Sequence, residues 1–456
     1  MSRADLKKRI ASRTARVGVI GLGYVGLPLA VEFAKAGFPV TGVDLDEGRV
    51  AGVNRGESYI ADVPAPVLEP LVKGGLLTAT TDYAVLAACD AILICVPTPL
   101  RKTRDPDISF IVSAVDAIAA TLRQDQLVIL ESTTYPGTTE EVILPKLDSR
   151  GFKVGQDFFL AFSPERVDPG NSRWSTRNTP KVVGGVTAAC GEIAGFLYEQ
   201  ALEQVIRVST CKAAEMVKLL ENTFRSVNVG LVNEIALICD RLGIEVWEVI
   251  EAAATKPFGF MAFYPGPGLG GHCIPIDPHY LSWKLKTLNY YARFIELAAE
   301  INAGMPRYVV DKVVAALNRH EKSVKGSRIL IVGVAYKRDV GDTRESPALD
   351  IIQLLRDRGA EVVYNDPFAG SVKLPLSSPP EPRGASGGTS ARPATGLRME
   401  SRPLTVKLMK EMDCTVIVTD HTSYDYQWLV DHSRAVVDTR NATRKVQKGR
   451  EKILKI

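Results

Sequence analysis

The chain has 456 residues, 46% hydrophobic and 24% charged, which is too long for one ordinary core and enough for about three soluble globular units. Lys and Arg number 56 against 52 Asp and Glu, a formal net charge of +4 without a dense basic block, so a small ligand is the expected partner and nucleic acid is not. Seven cysteines, at 89, 95, 190, 211, 239, 273 and 414, show no CxxC spacing and fit reduced thiols in a cytoplasm; no apolar run reaches the ~18 residues of a membrane span.

The first sixteen residues carry Lys7, Lys8 and Arg9 without the apolar core of a signal peptide, and read as a short leading helix or a frayed end. From Arg16 to Asp44 the order is strand (Val17 to Ile20), glycine turn, helix (Leu27 to Ala36) and strand (Pro39 to Val43), a βαβ unit. Further strands are expected at Ala91 to Val96, Leu127 to Glu131 and Phe158 to Phe162, with a helix at Ile108 to Leu122. That alternation predicts a parallel sheet covered on both faces. Thr210 to Arg241 lacks proline and keeps a helical apolar period, so a long central helix is expected. Ala292 to His320 reads as a second helical region broken near Pro306. A second strand–turn–helix series starts at Arg328 (RILIVGVAYK), with strands near Glu361 to Tyr364, Cys414 to Val418 and Ala435 to Val437.

The expected fold class is therefore α/β, with two Rossmann-like doubly wound domains joined by a long central helix and a helical dimerisation region. Its divisions are an N-terminal Rossmann domain over 1–209, a central helical domain over 210–322 and a C-terminal Rossmann-like domain over 323–456. Residues 371–395, rich in Pro, Gly, Ser and Arg, are expected to form a disordered insertion.

Gly21, Gly23 and Gly26 form GxGxxG between a strand and a helix, and Asp44 ends the next strand 18 residues after Gly26. The glycines suit a tight turn and close approach to a pyrophosphate. The carboxylate suits a ribose diol and repels a 2′-phosphate, which favours NAD. A glycine turn in an unrelated α/β protein is the alternative. Arg49 could lie over the adenosine or be solvated. The Val96-Pro97-Thr98-Pro99 turn falls at the carboxyl edge of the sheet, where ligands bind, although its prolines could serve only to end the strand.

Lys218 and Asn222, four residues apart on the central helix, share a face and could address one ligand atom; solvated pairs of this kind are common. Cys273 lies in GPGLGGHCIPIDP, a loop suited to close approach of a ligand, and is the candidate nucleophile, with a buried structural thiol as the ordinary alternative. His272 and His279 are weaker acid–base candidates, and two histidines without a third ligand do not argue for a metal.

With GGHCIPIDP, EMVKLLENTFR, ESTTYPGT, SPERV and GDTRES all present, the chain from about Arg16 to Arg444 resembles the nucleotide-sugar 6-dehydrogenases, which include UDP-glucose and UDP-N-acetylhexosamine dehydrogenases. The resemblance implies oxidation of a sugar C6 alcohol to the carboxylate with two NAD⁺; the homodimer is expected from the long helices between the two α/β units, which often pair with a symmetry mate. It implies Cys273 as the nucleophile that carries the acyl group, because a thiolate is both nucleophilic and a competent leaving group. It further implies Lys218 and Asn222 as oxyanion donors, Asp277 as orienter of water or of the lysine, Glu165 as general base and Thr133 as holder of the catalytic water. The cofactor is expected at Gly21, Gly23, Tyr24, Val25, Gly26, Asp44, Arg49, Pro97, Thr98, Thr133 and Arg344. The sugar nucleotide is expected at Glu165, Arg166, Val167, Lys218, Asn222, Phe263, Tyr264, Gly270, Lys337 and Arg440, between the two α/β domains.

The stretches FGFMAFYPGPGLGGHCIPIDPHYLSWK and RFIELAAEINAGMPRYVV are most similar to the branch acting on UDP-N-acetylglucosamine. UDP-N-acetylgalactosamine, UDP-N-acetylmannosamine and UDP-glucose stay open. A single-step β-hydroxyacid dehydrogenase shares the Rossmann domain, long helix and lysine–asparagine pair but has no use for Cys273 or a third domain. A sugar-nucleotide-binding regulator is the reading outside enzymes.

Overall fold

The computed structural model describes every residue except 1, 2, 61, 102–104, 169, 172, 272 and 375–396. The chain divides into two compact units, Met1–Asn222 with Ile276–Tyr291, and Thr223–Pro275 with Ala292–Ile456.

In the first unit eight strands form one sheet: β1 (Val17–Ile20), β2 (Val40–Val43), β3 (Leu77–Thr80), β4 (Ala91–Ile94), β5 (Leu127–Leu130), β6 (Phe159–Phe162), β7 (Lys181–Gly185) and β8 (Val205–Val208). Their order is β3-β2-β1-β4-β5-β6-β7-β8. The first six follow the 3-2-1-4-5-6 order of dinucleotide-binding folds, with the switch point between β1 and β4. The sheet departs from the expected all-parallel form at one place, where β6 and β7 pair antiparallel. Every residue of β1, β4, β5, β6 and β7 is buried, as strands covered on both faces must be. Leu27, Ala30 and Phe33 pack one face with Tyr198, while Ile111, Val115, Ile118 and Leu147 pack the other.

In the second unit β9 (Arg328–Val332), β10 (Glu361–Asn365), and, after an outlying hairpin of β11 (Ser371–Leu374) and β12 (Leu397–Glu400), β13 (Cys414–Ile417), β14 (Val436–Asp438) and β15 (Ile453–Lys455) complete the strands. The sheet runs β10-β9-β13-β14-β15, all parallel. The turn after β9 is long, since the next helix starts only at Pro347. The expected insertion is corrected at its first residues: Ser371 to Leu374 form a strand against Leu397 to Glu400 because Val372 and Leu374 are buried. Its remainder lies outside the described residues.

The central helix runs Cys211–Leu242. It stops at Gly243, whose φ is +70, with Ile244 N–H donating to the Cys239 carbonyl at 2.8 Å and Gly243 N–H to the Asp240 carbonyl at 3.2 Å. This paired bonding satisfies the last carbonyls of a helix and needs a left-handed residue there. The helix Arg293–Asn318 corrects the expected break at Pro306, because it continues through that residue. An internal proline costs about 3 kcal/mol, and a continuous buried face of Ile295, Ala298, Met305, Val309, Val310 and Val313 outweighs it. Among the described residues no helix is long and apolar enough to cross a membrane.

Candidate active site

β1 leads into a turn at Gly21, where φ is +89 and an added Cβ would stand 2.6 Å from the Cys95 carbonyl oxygen. At Gly26 an added Cβ would lie 1.8 Å from the Gly21 carbonyl oxygen, so glycine alone lets the helix Gly26–Lys35 begin against the turn. Beside Gly23 no atom would lie within 4 Å of a Cβ, which leaves its backbone approachable. Leu22 is anchored twice: its N–H donates to Asp44 Oδ2 at 2.7 Å, and its carbonyl accepts from the Tyr59 hydroxyl at 2.5 Å. Asp44 Oδ1 accepts from Asp46 N–H at 2.9 Å. A cleft of about 480 Å³ opens here, lined by Gly23, Tyr24, Asp46, Gly48, Arg49, Tyr59 and Ile60. Arg49 is exposed, with its guanidinium 5.7 Å from the Tyr59 ring centre and 3.6 Å from Asp44 Oδ2. An approachable glycine backbone, an acid at the end of β2 and a flat cation–ring pair fit a dinucleotide.

Val25 is half-buried at the start of the helix, and Tyr24 is exposed at the cleft. Pro97 and Thr98 follow β4 at the switch point, where the Thr98 carbonyl accepts from the Tyr280 hydroxyl at 2.9 Å. Thr133, half-buried, follows β5 between Ser132, which donates to the Val96 carbonyl at 2.8 Å, and Thr134, bonded to Thr138 at 2.6 Å.

Lys218 and Asn222 do share a helix face, yet each is engaged by a different protein atom. Lys218 Nζ donates to the Glu165 carbonyl oxygen at 2.6 Å, and Asn222 Nδ2 donates to Asp277 Oδ2 at 2.5 Å. Asp277 is 3% exposed at the start of the helix Asp277–Lys286. Burial pushes its carboxyl up to about 6, against the opposing pull of Lys218 and Asn222. A carboxyl raised in the fold stabilises it below the unfolded value and loses that contribution as pH rises through about 6, so ionised Asp277 strains the fold at neutral pH. Asp277→Asn is therefore expected to raise Tm at pH 7 to 8, with a gain of about 2 kcal/mol, while lowering turnover. Below about pH 4 the gain should vanish, and thermal melts across pH check both ends.

Glu165 Oε1 accepts from Arg166 N–H at 2.7 Å and Val167 N–H at 2.9 Å, and its Oε2 lies 3.3 Å from Lys181 Nζ. Burial opposes its ionisation, but Lys181 and the two amides outweigh it and hold the carboxyl below the usual range. Lys181, 3% exposed at the start of β7, also meets Glu131 Oε2 at 2.6 Å, and the Tyr198 hydroxyl bonds the other oxygen of Glu131. Burial lowers the affinity of Lys181 for its proton, and the two carboxylates more than restore it. Arg166 pairs with Glu221, at 2.5 Å from NH2 and 3.2 Å from Nε. Sequence reasoning missed Glu131, Lys181, Tyr198, Glu221 and Tyr59. The one available signal was Lys181 at the head of an otherwise apolar strand.

In the second unit Cys273 is partly exposed, while the six other cysteines of the chain are buried. Phe263 packs edge-on to Phe224 at 5.7 Å, and Tyr264 stacks on Trp247 at 5.9 Å. Gly270 presses on Tyr336, where an added Cβ would lie 2.6 Å from the tyrosine Cβ. Lys337 is half-buried in the long turn after β9; Arg344 is exposed and held by Asp342 at 2.6 Å. Arg440 lies across Gly266, 3.5 Å from Asp420. His272 lies outside the described residues, and His279 is half-buried two residues into the helix begun by Asp277. Among the described residues no group of three or more His, Cys, Asp or Glu could hold a metal ion.

Residues 15–202 match the NAD binding domain of the UDP-glucose/GDP-mannose dehydrogenase family, 212–304 its central domain and 330–445 its UDP binding domain. The chain is 37% identical over 358 residues to the UDP-N-acetyl-D-glucosamine 6-dehydrogenase of Pseudomonas aeruginosa, covering 78% of this chain and 83% of that one. It is 36% identical over 414 residues to a UDP-N-acetyl-D-mannosamine dehydrogenase of Methanococcus maripaludis, covering 90% and 87%. The solved UDP-D-ManNAc dehydrogenase of Pyrococcus horikoshii superposes with a TM-score of 0.83 at 32% identity, covering 95% of this chain and 96% of that one. Three matched domains in order, joined to a glycine turn and acid that fit the dinucleotide, place this chain in the UDP-glucose/GDP-mannose dehydrogenase family as an NAD-dependent UDP-sugar dehydrogenase.

Proposed function

We propose that the protein oxidises the C6 alcohol of UDP-N-acetylglucosamine twice, to the uronic acid, through a covalent intermediate on Cys273. The observation that carries this reading is the Asn222–Asp277 hydrogen bond with Lys218 one helical turn away. Asp277 lies four positions after Cys273, so the extended chain alone keeps their Cα atoms within about 14 Å. NAD, when bound at the glycine turn, supplies the hydride acceptor for both oxidations. The Cys273 thiolate adds to the aldehyde carbon, and loss of a second hydride leaves a thioester. Water then adds and the carbon–sulfur bond breaks, releasing carboxylate and restoring the thiol.

Lys218 and Asn222 donate to the oxyanion that forms at each addition, a contribution of about 10² to 10³ in rate per donor. Glu165, kept ionised beside Lys181, accepts the proton of the hydrolytic water, which Thr133 holds. Asp277 orients Asn222 and steadies Lys218 by its charge. The diphosphate is assigned to Lys337 and Arg440, with Phe263, Tyr264, Gly270, Arg166 and Val167 around the sugar and uridine, and Arg344 facing the cofactor. In this reading 1–209 holds NAD, 210–322 carries the cysteine loop and 323–456 holds UDP.

The second unit also presents Phe224, Leu231 and Ile238, each 45% to 53% exposed, at seven-residue spacing on the central helix. That stripe is suited to pairing with a second copy, and sedimentation as a monomer would contradict it. The test of the function is NADH release against a panel of UDP-sugars. Two NADH per sugar with UDP-N-acetylglucosamine preferred supports the reading; a count near one, with aldehyde as product, sinks it. Preference for UDP-N-acetylmannosamine is the second reading, favoured by the Methanococcus relative and its greater coverage of this chain.

A further inference from the structure

Two asparagines lie side by side where packed helices ordinarily place apolar residues. Asn233, on the central helix, is fully buried, and Asn302, on the helix Arg293–Asn318, is 5% exposed. The helices are close here, since an added Cβ on Gly230 would meet the Ala298 Cα at 3.2 Å. Their amides form a directed chain. Gly266 N–H donates to Asn233 Oδ1 at 2.9 Å, Asn233 Nδ2 donates to Asn302 Oδ1 at 2.8 Å, and Asn302 Nδ2 donates to the Ser226 carbonyl at 3.2 Å. Every donor and acceptor in that chain has one assigned role, so reversing either amide would set like against like.

The first link reaches Gly266, where the cysteine loop starts. Asn302 reaches the same loop by its backbone. Pro306, four residues on, has no N–H to give the Asn302 carbonyl, and Gly268 lies against that oxygen, where an added Cβ would stand 3.3 Å away. Farther along, Gly271 N–H donates to the Arg344 carbonyl at 3.0 Å. The start of the loop is thus held by a polar clamp buried between two helices, a costly arrangement that simple helix packing does not require.

We infer that Asn233 and Asn302 are positioning residues that set the Gly266–Gly271 backbone and thereby aim the Cys273 thiol. The inference rests on the reading of Cys273 as nucleophile. A displacement of about 1 Å at a reacting group can cost about 10²-fold in rate. Loss of the clamp should therefore appear in the chemistry and not in cofactor binding.

The experiment uses the full chain with Asn233→Leu, Asn302→Leu, the double variant, and Asn302→Ala, which keeps the Gly266–Asn233 bond. Each is measured for kcat of acid formation, KM for NAD, and alkylation of Cys273 by iodoacetamide, read by peptide mass. The burial of the other six cysteines makes that thiol the accessible one. For Asn233→Leu the expected result is a kcat lower by about 10- to 100-fold, an unchanged KM for NAD and an altered alkylation rate, with the double variant no worse. Asn302→Ala should show a smaller loss of the same kind. Wild-type kcat and alkylation in folded Asn233→Leu, or losses that multiply in the double variant, would overturn the clamp. If Asn233→Leu does not fold, wild-type behaviour of Asn302→Ala overturns it equally. Cys273→Ala separates the two readings. If it still yields two NADH per sugar, the nucleophile reading falls and the clamp's purpose with it. If it is inactive while Asn233→Leu turns over normally, the clamp alone falls.

Discussion

A Cys273→Ser enzyme is expected to lose steady-state acid formation by on the order of 10⁴-fold and to retain sugar covalently on the protein. The hydroxyl can still add to the aldehyde, and loss of the second hydride can still follow, but the product is an oxygen ester. An alkoxide leaves far less readily than a thiolate, so hydrolysis is expected to stall where the thioester proposed for Cys273 would turn over. Intact mass after one turnover reads the outcome as an added UDP-uronosyl group on the chain. Rapid release of acid without an adduct would remove Cys273 from the nucleophile's role. The other six thiols offer no substitute, because all are buried, and burial pushes Cys211, Cys95 and Cys414 far above the usual thiol range.

Much of this arrangement can be read from local pattern, and the exceptions share a cause. The turn at Gly21 is visible because its steric demand is met within a few residues, and Asp44 is visible because it ends the next strand. Lys218 and Asn222 fall on one face by helical periodicity. Their partners do not follow from it, since the Glu165 carbonyl lies 53 residues away and Asp277 lies 55 away. Pro306 misleads for the same reason: the residue forbids a helix locally, and the buried face that carries the helix through it is tertiary. The antiparallel pairing of β6 and β7 is likewise set by where β7 docks. Asn233 and Asn302 each look like an ordinary polar helix residue until the two helices are brought together. Propensity and period report on single elements, whereas these features are made by pairs.

The second large effect is expected in stability. Lys181 faces two carboxylates, the buried Glu131 at 2.6 Å and the partly buried Glu165 at 3.3 Å, with the Tyr198 hydroxyl on Glu131 as well. Lys181→Met keeps the length of the stem and removes the charge. Breaking a buried ion pair from one side costs about 3–5 kcal/mol, which for a unit of this size lowers Tm by about 6–20 °C. The sign of the pH dependence follows from Glu165. Its carboxyl is held below the usual range in the native protein, so the stability it contributes is present above that range and lost as pH falls through the native value. In Lys181→Met the same carboxyl loses its strongest counter-charge and keeps only two backbone amides and the weaker pull of Lys218, so burial pushes it up and its ionisation strains the fold. Both effects widen the gap between the two proteins as pH rises and close it as the carboxylates protonate. Denaturant melts at pH 4.5 and pH 8 therefore discriminate: a gap equal at both would mean that Lys181 acts by packing alone, and a gap that opens at pH 8 marks it as the counter-ion that keeps Glu165 charged.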